Sequence, residues 1–209
     1  MITLRRLDPA GSVVAPADRT LMVLTGLSSL VSADLSDTQR RFLRDVVPAG
    51  VQAVDANFPY HPGMLTGSAV TAPLWRASLR NTAQGLAAWV VPGFPRLVAR
   101  HLQPAFDRTR THLGIITGSC GLMLLARASR WLRVPPKLRL SVIALGPVGP
   151  GPSGRLRAYT VRGSHDWISR CLSTGRADAH VPAGHLDYCV DPEVLALVTR
   201  QCERFFDAS

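Results

Sequence analysis

A chain of 209 residues, 46% apolar and 18% charged, can bury a sizeable core. That excludes a disordered chain and fits a single globular domain over 1–209. The formal charge of +10 comes almost wholly from arginine, Lys137 being the only lysine. The arginines are scattered, without long runs or interleaved aromatics, so they describe a basic surface that attracts acidic partners, with no nucleic acid expected among them.

In chain order, residues 1–20 read as an N-terminal extension without the apolar core of a signal peptide. Short apolar, β-branched runs then predict strands at Leu21–Thr25, Val51–Asp55, Leu113–Thr117, Leu138–Leu145 and Leu156–Val161. Segments of helical period lie between them: Ser36–Val47 with Ser36 as N-cap, Pro73–Val90, Pro95–Arg108 and Gly121–Leu132. A last helix is expected over Pro192–Phe206, with Asp191 as N-cap. Residues 146–154 (GPVGPGPSG) read as a loop. Strands alternating with helices predict an α/β fold, a mostly parallel sheet flanked by helices on both faces. No apolar stretch is long enough to span a membrane, and the four cysteines show no disulfide framework. The expected protein is cytoplasmic, with reduced thiols.

The informative segment is HLGIITGSCGLMLLARA, residues 112–128. An apolar strand runs through T-G-S-C-G straight into an apolar helix, the setting of a nucleophile elbow. Small residues are needed there because the turn is strained and crowded. In the register x-x-Ser-x-Gly, Ser119 is the nucleophile and Gly121 follows two residues later, with Thr117 in place of the usual first glycine. A second register puts Cys120 at the apex; its thiol is the better intrinsic nucleophile, but Leu122 then stands where a small residue belongs. A plain strand-to-helix connection would have the same composition.

Beyond the strand LRAYTV, Asp166 lies in the loop RGSHDW, and His185 follows in AGHLDY just before the final helix. Nucleophile, acid and histidine therefore occur in that order, each at a strand or loop end. On these residues the chain, from Leu21 onward, resembles the α/β-hydrolase superfamily, in a minimal form. The first twenty residues look too short for the opening strands of a full member. The resemblance implies acyl transfer at a Ser-His-Asp triad: Ser119 attacks, His185 moves the proton and Asp166 orients the imidazole. It implies an oxyanion hole formed by the backbone N–H of Cys120 and of Leu27, the latter in the loop after the first strand. Asn57, Phe58 and His61, after the second predicted strand, are candidate substrate-binding residues.

His180 is a substitute for His185, and Asp178 for Asp166; His165 reads as a loop residue, and Asp187 and Asp191 as groups capping or solvating the last helix. His101 and His112 read as surface or core positions. No grouping has metal-ligand spacing and no Gly-rich phosphate loop occurs, so neither metal nor cofactor is expected. The short interval from Ser119 to Asp166 leaves little room for a lid there. A helical segment over 60–110, containing Trp75 and Trp89, is placed to shape an acyl pocket or simply to cover the sheet. The functions these features imply are hydrolysis or transfer of a small-molecule or carrier-bound acyl group from an ester or thioester, as in a thioesterase, with an acidic acyl carrier protein as a candidate partner. The alternatives are an acyl-cleaving or cyclising enzyme using Cys120, and a non-catalytic binding protein on the same fold.

Overall fold

The computed structural model describes residues 2–25, 32–66, 91–151 and 156–207. The predicted helix Pro73–Val90, with Trp75 and Trp89, and the predicted oxyanion residue Leu27 lie outside them.

After a short helix α1 (Ile2–Arg6), the elements are β1 (Ala17–Leu24), α2 (Asp37–Val46), β2 (Gln52–Ala53), α3 (Phe94–Arg108) and β3 (Thr109–Gly118). They continue with α4 (Gly121–Ala128), β4 (Arg139–Leu145), β5 (Tyr159–Gly163), α5 (Trp167–Leu172), β6 (Ala179–Val181) and α6 (Pro192–Asp207). The strands form one six-stranded sheet in the order β2-β1-β3-β4-β5-β6, and every pairing is parallel.

Side chains alternate across this sheet with period two, which sorts them into two cores. From β1, Met22 and Leu24 face one layer with Leu102 and Phe106 of α3 and Leu122 and Leu125 of α4. Leu21 and Val23 face the other, with Phe42 and Leu43 of α2 and Val194 and Val198 of α6. Parallel strands covered on both faces read as continuous apolar runs, which is why IIT and VIAL were recognisable. Gly114 in β3 leaves space for Phe206 of α6: a Cβ there would come within 2.8 Å of the ring.

Ser36 caps α2 as expected, with a reciprocal bond pair to Gln39 that stabilises by ~0.5–2 kcal/mol. Asp191 Oδ1 accepts from the N–H groups of Glu193 and Val194 at the start of α6. Several boundaries differ from expectation: β3 starts at Thr109 instead of Leu113, and β2 covers only Gln52–Ala53 of the expected Val51–Asp55. β1 begins at Ala17, inside the presumed extension, because ADRT pairs at the less buried end of the sheet. α4 ends at Ala128 in a 3-10 turn over Ser129–Trp131, short of Leu132. β5 runs over Tyr159–Gly163 instead of starting at Leu156.

The sheet order places the topological reversal between β1 and β3: the chain moves outward from β1 to β2, then returns to lay β3 on β1's other side. Crevices at the carboxyl ends of strands at such a point are where open α/β sheets hold ligands. Thr25 follows β1 there, and Ser119 follows β3.

Candidate active site

Between β3 and α4 the backbone turns at Ser119, whose φ is +51°, while Cys120 at the N-cap of α4 has φ −76°. A left-handed serine is strained by roughly 1–3 kcal/mol and persists only where the surroundings hold it. Here they do: the Ser119 N–H donates to Leu145 O at 3.2 Å and the Ser119 carbonyl accepts from Val148 N–H at 3.0 Å. Gly121 is compulsory, since a Cβ would lie 1.9 Å from Leu24 O. Thr117 fits where the usual pattern has glycine because its side chain turns to β4, donating to Ile143 O at 3.3 Å. The Ser119 Oγ is buried and, among the described residues, has no hydrogen-bond partner. Such a group in a dense interior calls for a functional explanation.

Asp166 caps α5, its Oδ1 accepting from Ser169 N–H at 2.9 Å. It is wholly buried, at 0% exposure. The largely buried His185 places Nδ1 2.9 Å from Oδ1 and 3.0 Å from Oδ2 of that carboxylate. Tyr188 donates its hydroxyl to Asp166 Oδ2 at 2.8 Å and accepts from Gly163 N–H at 2.7 Å. Burial alone would raise the Asp166 carboxyl; hydrogen bonds from His185, Ser169 N–H and Tyr188 outweigh it and hold the group below its ordinary range. The ionised carboxylate accepts only, so His185 carries its proton on Nδ1 and leaves Nε2 as an acceptor. Nε2 has no partner among the described residues.

Asp166 and the elbow share one end of the sheet. Leu145 O receives the Ser119 N–H, and the next residue, Gly146, lies directly against the acid: a Cβ on it would meet Asp166 Oδ2 at 2.6 Å.

Other predicted residues are engaged elsewhere. Asp178 Oδ2 accepts from Thr160 N–H at 2.7 Å and belongs to the sheet edge. Asp187 Oδ2 accepts from Gly184 N–H at 3.1 Å and so braces the histidine loop instead of capping α6. His180 is exposed on β6, and the exposed His165 sets Nδ1 3.1 Å from Pro182 O. His101 and His112 are buried; the former has Nε2 2.8 Å from Leu4 O.

The expected binding trio divides. Asn57 ties down the end of β1, its Oδ1 accepting from Thr25 N–H at 3.2 Å and its Nδ2 donating to Thr25 Oγ1 at 2.7 Å. Phe58, at 1% exposure, is a core residue set edge-on to Tyr60 and His101 rather than a pocket wall. His61 caps a 3-10 turn through Nδ1 and faces Gly11, on the N-terminal segment. Sequence proximity to a strand end does not fix which way a side chain turns.

Cys120 is 1% exposed, and burial pushes its thiol up to about 11. Tyr188 and Ser169 were missed; one lies in the histidine loop and the other in α5, and their roles arise only from tertiary contact. Among the described residues no group of His, Cys, Asp and Glu could hold a metal ion, and no helix is long and apolar enough to cross a membrane.

No protein-family model and no curated protein matches the sequence. Solved structures do. The structure named m3DLH aligns at 14% identity over 93% of this chain and 88% of that one, with a TM-score of 0.59. TT1662 from Thermus thermophilus aligns at 16% identity over 94% and 92%, with a TM-score of 0.50. A dienelactone hydrolase from Anabaena variabilis aligns at 14% identity over 93% and 88%, with a TM-score of 0.46. The fold shared with the first two is α/β: a parallel sheet flanked by helices, here with a sharp strand-to-helix turn at the topological reversal.

Proposed function

We propose that this protein is a serine hydrolase acting on an ester or thioester, with Ser119, His185 and Asp166 as its triad. The observation that carries the reading is the Asp166–His185 couple, held in the tautomer that presents a basic Nε2, at the same sheet end as the strained Ser119.

In the acylation step, Ser119 Oγ attacks the carbonyl carbon as His185 Nε2 takes its proton. Asp166 stays ionised and stabilises the imidazolium. The carbonyl π pair moves to oxygen, and the oxyanion is received by the Cys120 N–H with the positive end of α4 behind it. A second donor is assigned to Leu27, in the loop that Asn57 anchors at Thr25. The imidazolium then protonates the departing alkoxide or thiolate, leaving an acyl-serine. Water, deprotonated by Nε2, attacks that ester, and Ser119 regains its proton as the acid leaves.

Two features support serine over cysteine. Ser119 has the apex conformation, whereas Cys120 is already in the cap geometry of α4. Burial also keeps the Cys120 thiol far from the thiolate form that nucleophilic attack requires. Between Ser119 and Asp166 the described residues form α4, a 3-10 turn, β4 and β5. A site without a lid in that interval suits a bulky substrate, and the charge of +10 suits one on an acidic acyl carrier protein.

Turnover of p-nitrophenyl esters and acyl thioesters, compared with the Ser119→Ala variant, tests this. Hydrolysis by the unaltered protein that falls by orders of magnitude in the variant supports the reading. A folded, unaltered protein inert toward every ester and thioester, or an equally active variant, sinks it.

A further inference from the structure

We infer that Tyr188 is a positioning residue of the triad, its phenol fixing the Asp166 carboxylate in the orientation that presents it to His185 Nδ1; this rests on the serine-hydrolase reading above.

Two donors besides the imidazole meet at Asp166. Ser169 N–H occupies Oδ1 at 2.9 Å, and the Tyr188 hydroxyl occupies Oδ2 at 2.8 Å. Together they hold the carboxylate at both ends, so rotation about its Cβ–Cγ bond would break one bond or the other. The imidazole then meets a fixed carboxylate, with 2.9 and 3.0 Å to its two oxygens.

The direction of the tyrosine bond is set independently. Gly163 N–H donates to the phenol oxygen at 2.7 Å, and a backbone amide can only donate, so the phenol proton is directed to Asp166. Burial, and after it the bond to Asp166, push the Tyr188 phenol far above its usual range; the Gly163 N–H and, less, the Arg162 guanidinium on β5 act in the opposite sense without offsetting them. The phenol is therefore a donor throughout the working pH range.

Two glycines shape the slot that holds this pair. Gly146, just past β4, has φ +50°, and a Cβ there would lie 2.5 Å from Tyr188 Cε2. Gly163, at the end of β5, would place a Cβ 2.0 Å from Ala183 O and 3.1 Å from the phenol oxygen. The carboxyl ends of adjacent strands are thus cleared to admit the phenol against the acid. A tyrosine serving only the apolar layer would need neither the clearance nor the polar contacts.

The test is Tyr188→Phe, which keeps the ring in its apolar layer and removes only the hydroxyl. Thermal unfolding first confirms a folded variant. On an ester substrate, kcat is expected to fall about tenfold to a hundredfold with KM unchanged, the scale of a lost hydrogen bond to a charged group. Asp166, followed by carbon-13 NMR of its carboxyl group, is expected to titrate at higher pH than in the unaltered protein, because a donor to the charged form is gone. An unchanged kcat overturns the inference. So does a fall in kcat with Asp166 titrating as before, which marks a general disturbance. Failure of the serine-hydrolase reading is recognised separately, by Ser119→Ala retaining activity; the Asp166 titration still decides then whether Tyr188 controls the carboxylate.

Discussion

Gly121 at the head of α4 lies against the carbonyl oxygen of Leu24 at the end of β1, so closely that a Cβ would stand 1.9 Å from it. The contact joins the elbow helix to the strand that leads into the expected oxyanion loop. Replacing Gly121 with alanine must push the backbone apart, because the obstructing atom is main chain and not a movable side chain. Overpacking of this kind costs about 1–3 kcal/mol, and here the upper end is expected. Thermal unfolding should show a clearly lowered midpoint, with ester turnover lost even at temperatures where the variant is folded. A midpoint within a degree or two of the unaltered protein would show that the two elements can separate freely.

Asp166→Asn removes the charge and keeps a carbonyl oxygen able to accept from Ser169 N–H, so α5 retains a cap. The amide, however, offers a donor toward His185 and favours the tautomer with its proton on Nε2, which cannot take a proton from Ser119. Turnover should fall by about 10⁴-fold, as expected for a triad histidine held in the wrong tautomer. Circular dichroism and steady-state rates on the same sample check it, and a rate within tenfold of the unaltered enzyme would move the acid elsewhere.

The same carboxylate makes stability pH-dependent. Its folded-state value is held below the ordinary 3.8, so its contribution is present above that value and is lost as pH falls through the lower, folded-state value. Denaturant midpoints of the unaltered protein and of Asp166→Asn should therefore differ at neutral pH and converge on acidification below the ordinary carboxylate range. A difference that stays constant through that range would contradict the assigned shift.

Among the histidines, only His185 should matter to chemistry. His185→Ala is expected to lose several orders of magnitude in kcat. His165→Ala and His180→Ala should remain within a few-fold, since both residues are exposed and the histidine bonded to Asp166 is His185. A dead His180 variant beside an active His185 variant would reverse the assignment.

How far the sequence is legible depends on how local each feature is. The strand-to-helix turn is readable because strand, tight turn and helix follow one another over residues 112–128, and the Leu24 carbonyl leaves room there for glycine alone at position 121. The order of Ser119, Asp166 and His185 is readable because each lies in a short loop of small and polar residues that follows a predicted strand or precedes a predicted helix. The short helix α5 is not readable: it spans Trp167–Leu172, too little for a helical period to register. Asp187 has the composition of a cap and instead holds Gly184, three residues back, while Phe58 turns inward into a core assembled from distant segments. Tyr188 is three residues past His185, yet its meaning comes from Gly146 and Gly163 on two other strand ends.

The central claim is that Ser119 forms the covalent bond to substrate, and the direct measurement is mass-spectrometric mapping of the residue modified by a fluorophosphonate probe. The probe should add to Ser119 in the unaltered protein, fail to react with Ser119→Ala, and still react with Cys120→Ala, whose backbone N–H remains in place. Modification of Cys120, or undiminished labelling of the Ser119→Ala variant, would contradict the account.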